Sequence, residues 1–293
     1  MPTLARLVLV PALAACLALG LAFGRPSRQE VTVRAEKVRG SVFMLVGQGG
    51  NLGVSSGPDG VLLIDDQFEN LAPKIEAALG ELAGSAEKGV PRFLLNTHHH
   101  GDHTGGNGHF GKVATILAHE NVRARLLDEK RPAAALPVIT YADGVSIHWN
   151  GEEVRLIHQP NAHTDGDTVV WFTGSNVVHM GDLYFQLGYP FVDVAGGGNV
   201  LGLIEGVQSM LARLPADVRV IPGHGEVTGV EGLREYAAML QTITDRVSEH
   251  LVKGEDAKAM LAAGVTRDFD ERWGHFDFVP PEKFVQSVID SLR

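Results

Sequence analysis

The chain has 293 residues, 44% of them apolar, and a formal charge of −10 with no block of like charges. That length buries one large core or two modest ones. The acidic balance excludes the basic face that a nucleic-acid partner requires, and no internal repeat or low-complexity run is present.

The first 24 residues stand apart. Arg6 precedes an uncharged apolar run, 7–23, that ends in Ala22-Phe23-Gly24, the layout of a secretory leader with an A-x-A-like cleavage site. Two other readings stay open. Leu13-Ala14-Ala15-Cys16 resembles the lipobox of bacterial lipoproteins, although the residues after Cys16 remain apolar. The run also falls just short of the roughly 20 residues of a membrane span and could stay as an uncleaved anchor. Cleavage near Gly24 ranks first, lipidation at Cys16 second and retention third. All three export the protein to the periplasm or beyond, and only this segment touches the membrane. Cys16 is the single cysteine, so residues 25–293 form no disulfide and can bind metal through nitrogen and oxygen only. No linker divides 25–293, which reads as one domain with helices at its C-terminal end.

In chain order, SVFMLVG (41–47) and VLLIDDQ (61–67) are predicted strands, joined across the glycine-rich GQGGN. Residues 70–83 place Leu71, Ile75, Ala78, Leu79 and Leu82 on one helical face. RFLLNT (92–97) is a strand that runs directly into HHHGDH. VATILAH (113–119) is the next strand, followed by a helix over 120–129. VRLIHQ, TVVWFTG and NVVHMGD read as three further strands. Residues 199–214 form a helix, VRVIP a buried strand with GHG as its exit loop, and 231–253 a long amphipathic helix. Two shorter helices are expected to close the chain. Strands first, helices interleaved and helices last predict two packed sheets with helices outside, an α/β sandwich.

Each unusual polar cluster falls at a predicted strand end, where loops on a rigid scaffold gather functional groups. Four histidines and an aspartate occupy the six positions 98–103. In extended backbone His98 and His100 point to one side and His99 away. Past Gly101 the chain can turn to present Asp102 and His103 as a second pair. Each half-site lacks one ligand, which His163 and His224 can supply, and Asp182, with two carboxylate oxygens, can bridge two cations about 3.5–4 Å apart. His179, His109, His119, His148, His158, His250 and His275 have no partner pattern and read as structural or surface residues. The glycines of VAGGGN read as a turn before a helix.

T-H-x-H-x-D-H, a separate histidine, Gly-Asp and a late G-H-G, in that order, resemble the metallo-β-lactamase superfamily over roughly residues 42–228. The resemblance implies a four-layer αβ/βα sandwich with the metals at one edge. It implies that His98, His100 and His163 hold one metal, that Asp102, His103 and His224 hold the other, and that Asp182 bridges them. Zinc β-lactamases usually carry cysteine or serine where Asp182 stands. The bridging aspartate resembles instead the glyoxalase-type thioesterases, lactonases and phosphodiesterases of the superfamily. The lactonases usually place a tyrosine three residues later, where this chain has Phe185.

Supporting roles are expected for Thr97, Asp65 and Thr164, since metal-bound histidines donate their other N–H to a fixed acceptor. Tyr184, Phe185, Tyr189 and Phe191, directly after Asp182, are expected to wall a small-molecule substrate pocket. The expected activity is that of an exported di-zinc hydrolase, with iron or manganese as other metals. A metal-bridging hydroxide attacks a carbonyl, and Asp102 orients it or carries its proton. A β-lactam or similar cyclic amide or ester ranks first because of location. A lactone or thioester is the alternative, and a non-catalytic metal-binding protein the remote third.

Overall fold

The computed structural model describes residues 30–293; the leader and Cys16 lie outside the described residues. Seven strands pair in sequence order into a first sheet. They are β1 (Arg34–Arg39), β2 (Val42–Val46), β3 (Leu52–Gly57), β4 (Gly60–Ile64), β5 (Pro91–Leu95), β6 (Thr115–His119) and β7 (Ile139–Tyr141). β1 to β4 are antiparallel neighbours and β4 to β7 run parallel. A second sheet holds β8 (Gly144–Trp149), β9 (Glu152–His158), β10 (Thr168–Phe172), β11 (Val177–His179), β12 (Arg219–Ile221) and β13 (Thr228–Gly229). Its order is β13-β12-β11-β10-β9-β8.

Period-2 alternation along each strand builds the layers. In β4, Leu62 and Ile64 meet Val154, Leu156, Val170 and Phe172 of the second sheet. Val61 and Leu63 turn outward onto α1 (Ala72–Ala83), packing with Ile75 and Leu79. Three more helices follow on this half of the chain: α2 (Gly101–Thr104), α3 (Asn107–Phe110) and α4 (Glu120–Asp128). On the far side, Val169, Val178 and Val220 of the second sheet pack against α5 (Val200–Leu211) and α6 (Val230–Val252). The order helix, sheet, sheet, helix is the expected αβ/βα sandwich. Three helices close the chain rather than two: α7 (Ala257–Ala263), α8 (Arg267–Trp273) and α9 (Pro281–Ser291). Val31–Arg293 forms one compact unit.

β1, β3, β7, β8 and β13 were not predicted, and two of them show why. β3, LGVSSG, carries mostly small side chains, and it is a strand because buried β2 and β4 pair with both its edges. β8 joins β9 through Asn150-Gly151, whose φ values of 49° and 83° form the left-handed pair of a tight hairpin.

The two sheets are also stapled by a histidine pair. His119 ends β6 and His158 ends β9, and their rings stack 3.6 Å apart at 9°. His119 Nδ1 accepts the Asn121 N–H at the start of α4, while its Nε2–H donates to the Ala142 carbonyl. Burial lowers both pKa values; each imidazolium would repel the other, and Glu120, Asp165 and Asp143 only partly offset this. The unfolded chain therefore binds more protons near pH 6, so the pair's contribution is complete above about pH 6.5 and is lost as pH falls through the folded values. The urea midpoint is expected to fall between pH 7.5 and pH 5, and to fall less in His158→Asn. An equal fall in both proteins would contradict this role.

Candidate metal centre

Five strand ends converge at one edge of the sandwich. β4 runs into Asp65, β5 into residues 96–103, the β9–β10 connection carries His163, β11 leads to Asp182, and β12 to His224. The backbone approaches so closely there that a Cβ on Gly50 would lie 2.1 Å from His103 Cε1, and one on Gly223 1.9 Å from Asp182 Oδ1.

The outer nitrogen of each of four imidazoles meets an acceptor. His103 Nδ1–H donates to Asp65 Oδ2 (2.7 Å), and His100 Nε2–H to Asp193 Oδ2 (2.9 Å). His163 Nδ1–H donates to the Phe191 carbonyl (2.7 Å). Thr97 Oγ1–H donates to Asp65 Oδ2 (2.7 Å), leaving Thr97 Oγ1 to accept from His98 Nδ1–H (3.0 Å). The second nitrogen of each ring then faces inward. His100 Nδ1 and His163 Nε2 face one another at 2.9 Å, a spacing that a shared proton or a common cation satisfies. His98 Nε2 is buried without a hydrogen-bond partner, and His103 Nε2 and Asp182 Oδ1 are buried 3.1 Å from one another. Buried polar atoms left unpaired are costly, so these donors fit metal ions.

The donors form overlapping groups, each with its ligand atoms within 4.8 Å of one another: His98, His100 and His163; His98, His103 and Asp182; Asp102, His103 and His224. Asp182 reaches both sides, with Oδ1 3.1 Å from His103 Nε2 and Oδ2 3.6 Å from both His163 Nε2 and His224 Nε2. Asp102 Oδ2 lies 3.2 Å from His224 Nε2.

Electrostatics divides the two sides. Burial and neighbouring imidazoles hold His98 well below its ordinary pKa, and burial takes His163 down to about 4. Burial also opposes charge on His103, but Asp182, Asp102 and Asp65 outweigh it and raise the ring well above 6.5. His224 is raised to about 9 against the same burial, by Asp182 and Asp102. Burial favours protonated carboxyls, yet His103 and His224 bring Asp102 down to about 2 and Asp182 well below the carboxylate range. The His98 side is thus neutral and nitrogen-rich, whereas the His103 side carries the carboxylates that attract positive charge.

Asp65 and Thr97 occupy the supporting positions expected of them. The Thr97 N–H also donates to Asp65 Oδ1 (2.7 Å), so one buried carboxylate orients both the strand end and His103. Thr164 requires correction. Its N–H and Oγ1–H donate to Asp167 (2.8 and 2.6 Å), so it shapes the turn after His163 and orients none of the imidazoles. His99 turns away as expected, buried with Nε2 3.8 Å from Asp193 Oδ2.

A cavity of about 330 Å³ opens between the histidines and Phe185, Phe191, Phe276 and Phe278. Phe185 and Phe191 therefore line the pocket. Tyr184 and Tyr189 do not, and that expectation is corrected. Tyr184 packs against Tyr236, with ring centroids 5.2 Å apart. Tyr189 stacks on Phe284 and donates its hydroxyl hydrogen to Asp270 (2.9 Å). Both are fully buried, because the residues after Asp182 alternate between the pocket and the core beneath α6 and α9. Sequence reasoning missed Asp193, Phe276 and Phe278. Asp193 sits on a loop without a ligand spacing, and the two phenylalanines lie more than 50 residues beyond His224.

Fold and site together define a two-sheet αβ/βα protein with a histidine- and aspartate-lined cluster able to hold metal. The family model of the metallo-beta-lactamase superfamily matches residues 56–224, and the chain belongs to that superfamily. A hydroxyacylglutathione hydrolase of Rhodospirillum rubrum is 32% identical over 173 residues, covering 58% of this chain and 60% of that protein. One of Halorhodospira halophila is 34% identical over 57% of this chain and 58% of its own length. The chain thus spans about three fifths of these relatives' length. Among solved structures, a metallo-beta-lactamase from Pontibacter korlensis superposes with a TM-score of 0.62, at 17% identity over 72% of this chain and 99% of that one. At that identity the likeness concerns the fold alone.

Proposed function

We propose that the protein hydrolyses acyl thioesters and esters at a two-metal centre, with His98, His100 and His163 holding one ion, Asp102, His103 and His224 the other, and Asp182 between them. The observation that carries the proposal is the placement of Asp182, one carboxylate within 3.6 Å of inward nitrogens on both sides. A shared carboxylate is the feature that separates thioesterase-like members from zinc β-lactamases, and the relatives named hydroxyacylglutathione hydrolase support the same reading. This reverses the ranking from location, which put a β-lactam first.

Zinc is the proposed metal because the donor set is rich in nitrogen. Bound there, such ions supply a water acidified towards neutrality and polarise the carbonyl. The residues do the rest. Asp65, Asp193, Thr97 and the Phe191 carbonyl fix the imidazoles, and Asp102, partly exposed at the mouth, orients water and carries its proton. The four phenylalanines exclude bulk water from one side. Export by the leader belongs to the same proposal and would appear as enrichment in a periplasmic fraction. The purified zinc-loaded protein is expected to turn over a thioester faster than a chromogenic cephalosporin, and to lose this activity with a chelator. Cephalosporin turnover with no thioester or ester hydrolysis would overturn the reading.

A further inference from the structure

The four phenylalanines form a continuous arch over one side of the metal-facing edge. Phe185 lies 5.0 Å from the His224 ring, Phe276 5.1 Å from Phe185, and Phe278 5.9 Å from Phe276. Phe191 lies 5.4 Å from Phe278 and 5.9 Å from His100, so the arch starts and ends on candidate metal ligands. Two of its members come from the loop between α8 and α9, beyond the 56–224 segment matched by the family. The Tyr189 N–H donates to the Trp273 carbonyl (2.8 Å) at the start of that loop, which fixes it against the strand-end segment.

The cation at the arch is already engaged. Lys283 lies over the Phe278 and Phe191 rings, at 3.9 and 4.9 Å, and donates to the Phe278 carbonyl. Arg272 pairs with Glu235 and lies over Trp273. Asp277 stands exposed between Phe276 and Phe278 and repels negative charge. Phe278 is 56% exposed beside Phe191 and Phe276, apolar surface that a ligand in the cavity would cover. A glutathione moiety carries two carboxylates and a net negative charge, which the single ammonium of Lys283 and four apolar rings match less well than an aryl group.

We propose that the arch binds an uncharged aryl or arylalkyl acyl group, so that the substrate is a thioester or ester of an aromatic acid rather than a glutathione conjugate. The proposal rests on the hydrolase reading above and specifies its substrate. In the reaction the acyl C–S bond breaks, the oxygen of water forms the new C–O bond, and a proton from that water leaves with the thiol. The ring sits in the arch while the carbonyl reaches the edge between His100 and His224. At about 330 Å³ the cavity is at the small end of ligand pockets, suited to a ring and a short linker.

The test compares phenylacetyl and acetyl thioesters of N-acetylcysteamine with S-lactoylglutathione, using the zinc-loaded protein. Burial of the extra ring is expected to give the phenylacetyl compound about 30-fold higher kcat/KM than the acetyl one. Phe278→Ala is expected to cut that preference about tenfold, through KM. Binding is read separately by saturation-transfer NMR of phenylacetamide, which cannot be a thioester substrate. Its signal is expected with metal-free and metal-loaded protein, and is expected to collapse in a Phe276→Ala/Phe278→Ala variant with an unchanged circular dichroism spectrum. Equal turnover of the two acyl groups, preference for the glutathione thioester, or undiminished phenylacetamide binding in the double variant each overturn the arch as an acyl site. Absence of all thioester turnover with two metals bound overturns the hydrolase reading instead, and the NMR arm still decides the arch.

Discussion

Asp182→Ala is expected to lower kcat/KM by about 10³-fold and to leave fewer than two metal equivalents after dialysis. The carboxylate is nearly buried, and its two oxygens face inward nitrogens of His103, His163 and His224. Nothing nearby can substitute. The Gly223 backbone occupies the space behind Oδ1, and Asp102, the other carboxylate of the group, faces His224 from the exposed side. Without Asp182 the imidazoles keep their outer acceptors but lose the anion that holds the two sides together. Asp182→Asn separates shape from charge, because it preserves the packing against Gly223 and removes the negative charge. Metal content by mass spectrometry, read beside thioester turnover, decides the matter. An alanine variant with two metals and full activity would falsify the bridging role.

Legibility in the sequence followed the distance over which each interaction acts. Two packed sheets with helices outside were readable because strand and helix periods are local, and VLLID or TVVWF can be little else; the αβ/βα order came with the family resemblance. The candidate ligand cluster was readable because HHHGDH packs four possible donors into one loop and the other three follow strand ends. β3 and β8 were not readable, since small or mixed residues become strands only when paired on both edges or closed by a hairpin. The pocket was half readable. Phe185 and Phe191 follow Asp182 in sequence, but Tyr184 and Tyr189 on the same stretch face the core, and extended backbone of uneven twist hides which is which. Asp193 and the Phe276–Phe278 pair act across more than 80 residues of chain, a separation at which no spacing rule applies.

Asp65 is where fold and site are least separable, and its loss is the second large effect expected. The residue has φ 58°, left-handed backbone that aspartate adopts more readily than most side chains, and its own N–H donates to the Leu95 carbonyl (2.8 Å) across β4 and β5. Its fully buried carboxylate accepts three hydrogen bonds, from Thr97 N, Thr97 Oγ1 and His103 Nδ1, each at 2.7 Å. Asp65→Ala leaves those three donors in a dry site and removes a counter-charge from His103, a loss of about 3–5 kcal/mol. It also frees the His103 ring to rotate or change tautomer, which is expected to weaken zinc binding by 10- to 100-fold. Asp65→Asn retains one acceptor oxygen but points an amide N–H at a donor, so it should recover part of the stability and little of the affinity. Urea denaturation of the metal-free protein reads the first quantity, and competition with a chromogenic chelator reads the second. A variant that binds zinc normally while being destabilised would confine Asp65 to the fold. Normal stability with weakened zinc binding would instead make it purely an orienting group for His103.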